Sequence, residues 1–130
     1  MAYLLDTDVA IHLRERTPAF VARVERLDRR PALSVVTRVE LEGGVYADGA
    51  ESARRRAAVD ALLRFLPVVD FDGAMAAAYG RILADRGFSR RKVLDRMIAA
   101  TALARDLILI TANAADFADV AGLKLEIWDQ

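Results

Sequence analysis

A chain of 130 residues, 55% of them hydrophobic and 29% charged, holds enough sequence for one domain with a sizeable core, spanning residues 1–130, and too little for two. No apolar run nears the roughly 18 residues that a membrane span requires, and Met1-Ala2-Tyr3-Leu4-Leu5-Asp6 meets an acid at once with no basic leader, so the cytoplasm is the expected compartment. Having no cysteine excludes disulfides, thiolate metal sites and cysteine nucleophiles, and 19 basic against 19 acidic residues give a net charge of zero, so nucleic-acid binding would need a local patch.

In chain order, Tyr3 to Leu5 is a short apolar run ending at Asp6 and reads as a buried strand. His12, the single histidine, lies between Ile11 and Leu13 and reads as an ordinary structural helix position. Helical spacing covers Pro18 to Leu27. The β-branched run Ala32 to Val36 predicts a second strand, and Thr37 to Ala47 the helix after it. Ser52 to Phe65 is helical, with Arg54-Arg55-Arg56 on an exposed face. Leu66 to Phe71 predicts a weaker strand, because Pro67 lacks an amide proton and suits a sheet edge. Gly73 to Arg86 and Lys92 to Arg105 are helical, and Leu107 to Ile110 is a continuous apolar strand of the kind covered on both faces. Lys124 to Trp128 alternates and predicts a half-exposed terminal strand. Strands alternating with helices predict an α/β fold with a mainly parallel sheet flanked by helices on both faces.

In such sheets ligands bind outside the carboxyl ends of the strands. Asp6 directly follows the first strand, Glu40 falls in the first turn after the second, and Asp116 follows the Leu107 to Ile110 strand. Asp95 shares a helical face with Ile98, Ala99 and Ala102, so it points with the apolar stripe. An unpaired carboxylate there costs several kcal/mol, which a cation would remove. With no thiolate or imidazole at hand, an all-oxygen set suits Mg²⁺ or Mn²⁺. Each acid also has a structural alternative: Asp6 as a helix cap, Thr37-Arg38-Val39-Glu40 as a capping box, and Asn113 to Asp116 as a capped turn.

Four blocks, Leu4-Leu5-Asp6-Thr7-Asp8, Ser34 to Gly44, Asp95 to Ala100 and Thr111 to Phe117, resemble in order and spacing the motifs of PIN-domain ribonucleases of the VapC toxin type. The resemblance spans nearly the whole chain. It implies an endoribonuclease with Asp6, Glu40, Asp95 and Asp116 as a catalytic, metal-binding quartet for Mg²⁺ or Mn²⁺. Asp8 stands where such toxins commonly carry asparagine, adding a carboxylate as a further metal ligand or a neighbour of the site. Glu42 lies two positions from Glu40 and faces solvent, while Gly43 and Gly44 permit close approach one turn away. Thr111 and Asn113 are candidates to orient a ligand or water. Arg90, Arg91 and Lys92, with Arg96 beside Asp95, form the candidate surface for RNA or for an antitoxin tail. The implied partners are an RNA substrate, a VapB-type antitoxin that itself binds operator DNA, and a second copy in a homodimer. Two other readings are a catalytically idle PIN-like binding module and a phospho-receiver domain using Asp70.

Overall fold

Leu4 and Leu5 are adjacent in sequence and both fully buried, yet they belong to different cores, because successive side chains of a strand point to opposite sheet faces. The computed structural model describes residues 3–129. Its elements run β1 (Tyr3–Leu5), α1 (Thr7–Arg14), α2 (Pro18–Glu25), β2 (Ala32–Ser34), α3 (Val35–Ala47), α4 (Ser52–Phe65), β3 (Val68–Val69), α5 (Gly73–Arg86), α6 (Val93–Arg105), β4 (Ile108–Thr111) and β5 (Leu125–Ile127). All strand pairings are parallel and the sheet order is β3-β2-β1-β4-β5. The order in which strands are added therefore reverses between β1 and β4, the switch point at which open α/β sheets carry their ligands.

Leu5, Leu33 and Ile110 project to the face covered by Val9 and Leu13 of α1, Phe20 and Val24 of α2, Leu41 and Val45 of α3, and Val59 of α4. Leu4 and Leu109 project to the other face, against Ala78 and Ile82 of α5 and Ile98, Ala99 and Ala102 of α6. Phe117 closes this second layer. The expected α/β architecture with helices on both faces is thus the observed one, and the strand containing Val68 is at the sheet edge, as Pro67 implies.

A helix, α1, starts immediately after Asp6, whose side chain caps it, as the structural alternative for that residue has it, by accepting from the Thr7 amide. Several element ends differ from the sequence reading by a residue or more. The second strand stops at Ser34 instead of reaching Val36, because Ser34 caps α3, its Oγ accepting from the Thr37 amide at 3.0 Å. Thr37 is consequently inside the helix and heads no capping box. The third strand contracts to Val68–Val69. His12 is structural, stacked on Phe20 at 4.0 Å between ring centroids with Nδ1 3.1 Å from Thr17 Oγ1.

Candidate acidic metal centre

Register places the end of β1 beside the end of β4: Leu5 pairs with Ile110, and the Asp6 amide donates to the Ile110 carbonyl at 2.8 Å. Asp6 is 4% exposed. One of its oxygens accepts from the Thr7 amide and the other from the Thr111 hydroxyl, both at 2.8 Å. Asp8, in the first turn of α1, accepts from the Val9 amide at 2.7 Å, from the Ala112 amide at 3.2 Å and from the Thr111 hydroxyl at 3.4 Å. Thr111 is fully buried and serves both acids, which ties α1 to the exit of β4.

Glu40 enters from α3, where Oε1 accepts from the Thr7 hydroxyl at 2.7 Å. Asp95 lies in the first turn of α6, half-buried. Asp116 ends the short 3-10 turn Ala114–Asp116 and accepts from the Asn113 side-chain amide at 3.0 Å. Asn113 thus grips a carboxylate and does not cap the turn.

The electrostatics bind these acids into one group. Burial, then the charge of Asp8, pushes the Asp6 carboxyl up to about 8. Asp95 is raised to about 6 by burial first, then by the charges of Asp116, Glu40 and Asp8, with Lys92 pulling the other way. Neither Asp6 nor Asp95 has an ion pair among the described residues. No three carboxylates among the described residues stand close enough to form a finished cage. The arrangement is a field of like charge at the mouth of the β1/β4 switch point. Mg²⁺ tolerates that geometry, since it keeps several waters and takes only one or two carboxylates directly. The chemistry of the donor set, all oxygen and short of positive charge, therefore fits a hard divalent cation.

The basic candidates divide. Arg90 and Arg91 are exposed on the 3-10 turn Arg90–Lys92 that leads into α6. Lys92 sits 3.5 Å from Asp119. Arg96 is not on the approach surface: it is 4% exposed, donating to the Gly87 carbonyl at 2.7 Å and to Asp119 at 3.4 Å. Its position beside Asp95 in sequence puts it on the neighbouring face of the helix, where it pins the loop before α6. Asp70 follows the edge strand β3, separated from β1 by β2, so it lies outside the group formed by Asp6 and its neighbours.

Glu42 is half-exposed and engaged, taking a bidentate pair from Arg56 at 2.8 Å for each bond. The Arg54 to Arg56 run is not a bare solvent face. Arg54 pairs with Glu15 and Glu51, and Arg55 donates to the Gly44 carbonyl at 2.8 Å. A Cβ on Gly44 would come within 2.9 Å of the buried Arg14 guanidinium, so this glycine makes room for α1, whereas Gly43 faces open space.

The sequence reading gave Thr7 no role of its own and Thr37 only that of a helix cap; both are buried and lie on the hydrogen-bond path to Glu40. Their signal was position: Thr7 touches Asp6 in sequence, and Thr37 is three residues before Glu40. Two larger surface hollows, 600 Å³ at the amino ends of the strands and 410 Å³ between α5 and the segment around Val120, are lined by none of these five acids.

The PIN domain signature matches residues 3–123. The chain belongs to the PIN-domain family. A curated relative from Shigella flexneri, a tRNA(fMet)-specific endonuclease VapC, is 33% identical over 98% of both chains, and the Ribonuclease VapC2 of Haemophilus influenzae is 30% identical with the same coverage. VapBC2 from Rickettsia felis, solved bound to a promoter DNA fragment, superposes with a TM-score of 0.88 at 26% identity over 99% of this chain and all of that one. The DNA-bound VapBC of Salmonella typhimurium gives 0.86 at 29% identity over 98% of each. Within the PIN family this chain therefore falls with the VapC ribonucleases, the toxin components of toxin-antitoxin pairs. The resemblance drawn from four motif blocks extends over the whole fold.

Proposed function

We propose that this chain, as a single PIN-like domain spanning 1–130 in the cytoplasm, cleaves RNA phosphodiester bonds with Asp6, Glu40, Asp95 and Asp116 holding Mg²⁺ or Mn²⁺. The observation that carries this reading is the pair of sequestered carboxylates, Asp6 and Asp95, neither of which has an ion-pair partner among the described residues, the charge of Lys92 only partly opposing the upward displacement of Asp95. A bound divalent cation supplies a more acidic water and stabilises the charge that builds on the scissile phosphate. The protein's own part is to fix geometry. Thr111 and the Thr7 amide hold the two Asp6 oxygens, leaving each with a further lone pair for the ion. Asp8 draws the β4 exit against α1, so it acts as an orienting neighbour of the ligands. Asn113 holds Asp116. Arg90 and Arg91, at the lip of the same edge, meet backbone phosphates.

The partners follow from the VapC relatives: an antitoxin of the VapB type, whose tail meets the acidic edge and its arginine rim, with DNA contacted only through that antitoxin, and a second copy in a homodimer. The purified chain, freed of antitoxin and incubated with total RNA, should cleave with Mg²⁺ or Mn²⁺ and fall silent in EDTA. Cleavage indifferent to EDTA overturns the mechanism, and metal binding without cleavage of any RNA favours an idle binding module. Sequencing of the new RNA ends identifies the substrate. Light scattering at micromolar concentration should give about twice the monomer mass, and coexpression with the antitoxin should restore growth.

A further inference from the structure

Three buried hydroxyls form a continuous chain that ends on Glu40. Ser34 Oγ donates to Thr37 Oγ1 at 3.4 Å, Thr37 Oγ1 lies 2.9 Å from Thr7 Oγ1, and Thr7 Oγ1 donates to Glu40 Oε1 at 2.7 Å. Ser34 is 1% exposed, Thr37 0% and Thr7 8%. The direction of the chain is fixed at both ends. A carboxylate can only accept, so the Thr7 proton is committed to Glu40; the Thr7 oxygen is then free to accept, and the Thr37 proton turns toward it. At the other end the Ser34 oxygen already accepts the Thr37 amide as the cap of α3, which leaves its own proton to donate inward. Each hydroxyl thus has a donor role and an acceptor role, and reversing any link leaves a buried group unpaired at a cost of about 1–3 kcal/mol.

We infer that Thr7 and Thr37 are positioning residues for Glu40: the hydroxyl chain holds Oε1 from behind and presents Oε2 to the cation. Glutamate needs such help more than the aspartates do, because its longer side chain has an extra torsion to fix. Thr7 also follows Asp6 directly, and its own amide donates to Asp6. One residue therefore sets the spacing between the first and second acids of the quartet, its amide gripping one and its hydroxyl the other.

This inference rests on Glu40 being a cation ligand, and the experiment separates the two. Mn²⁺ alone is titrated calorimetrically into the full-length chain and its Thr7→Val, Thr7→Ser, Thr37→Val and Glu40→Gln variants, with unfolding midpoints in EDTA recorded for each. Orienting partners of metal ligands are worth about 10- to 100-fold in affinity. Thr7→Val, which keeps the shape and removes the proton, should weaken Mn²⁺ about 10-fold, Thr37→Val about 3-fold, and Thr7→Ser should stay within about 2-fold of the parent. Parental affinity in a folded Thr7→Val overturns the inference while leaving the site assignment intact. Equal losses in Thr7→Ser and Thr7→Val also overturn it, since the methyl and not the hydroxyl would then matter. Parental affinity in Glu40→Gln removes Glu40 from the ligand set and the inference with it. If the valine variants do not fold, Thr7→Ser against Thr7→Ala decides the same question.

Discussion

Two charged clusters each take one acid from α3, Glu40 in one and Glu42 in the other, and they are built on opposite rules. On the α4 side, Arg54 pairs with Glu15 and Glu51, Arg56 with Glu42 and Asp60, and Arg55 with a backbone carbonyl. The consequence is a downward displacement: hydrogen bonds from Arg54 and Arg14 hold Glu15 below the usual carboxylate range, and those from Arg56 hold Glu42 there. At the carboxyl edge of β1 and β4 the acids have hydroxyls and amides around them but no basic partner of their own, and Asp6 and Asp95 are displaced upward. A cluster whose charges are matched within the chain is a clamp between helices; a cluster whose charges are left unmatched is the kind of place at which functional sites concentrate. Exposed pairs of the first kind contribute little each, about 0–1 kcal/mol.

The sharpest way to break this contrast is Asp95→Asn. It should lower cation-dependent RNA cleavage by about 100-fold or more, by removing a ligand charge at the edge. Its unfolding midpoint in EDTA should be no lower than the parent's, since an acid repelled by Asp116, Glu40 and Asp8 is removed. A cleavage assay beside a thermal melt checks both halves, and a stable variant with parental cleavage would move Asp95 out of the site.

Next in size is Arg96, which the sequence placed on the approach surface and the fold buries. Arg96→Met leaves Asp119 with a weaker partner and the Gly87 carbonyl without its donor, and should destabilise the fold by about 2–3 kcal/mol in urea titrations. Residual cleavage should track the folded fraction.

The pH dependence of the metal-free protein sharpens the contrast further. Asp6 titrates near 8 in the folded chain against its ordinary 3.8, so between those values the folded state binds more protons than the unfolded one. Stability in EDTA should therefore fall as pH rises from about 4 to 8. Asp6→Asn should flatten that slope and be the more stable protein at pH 8, as read from urea midpoints at pH 5, 6.5 and 8. A parent whose stability climbs steadily to pH 8 would contradict the burial of an unmatched charge at Asp6.

Glu42→Gln should have the smallest effect. Its partner Arg56 keeps Asp60, so the loss is under about 1 kcal/mol, and cleavage should remain at the parental level in the same assay. A large loss of activity would place Glu42 among the ligands.

Much of this was legible in the residues themselves. Continuous apolar runs marked β1 and β4, Pro67 marked an edge, and the alternation of strands with helical periods gave a parallel sheet; each is a local pattern of side-chain size and polarity repeating over a few positions. That Asp6, Glu40 and Asp116 follow strands was equally readable, and the α/β rule gathers strand ends at one edge. Asp95 was legible because its spacing to Ile98, Ala99 and Ala102 sets it on an inward face. What the sequence left open were choices between partners distant along the chain. Whether Ser34 or Thr37 caps α3 depends on Thr37 meeting Thr7, thirty residues away. Arg96 could be assigned only once Asp119 and Gly87 were packed against α6. The arginine run on α4 and Glu42 on α3 looked like separate solvent-facing groups until those helices lay side by side. Hydrophobic periodicity determines which face of an element turns inward, but the partner of a polar group is set by through-space distance between elements, and only the assembled tertiary structure decides that.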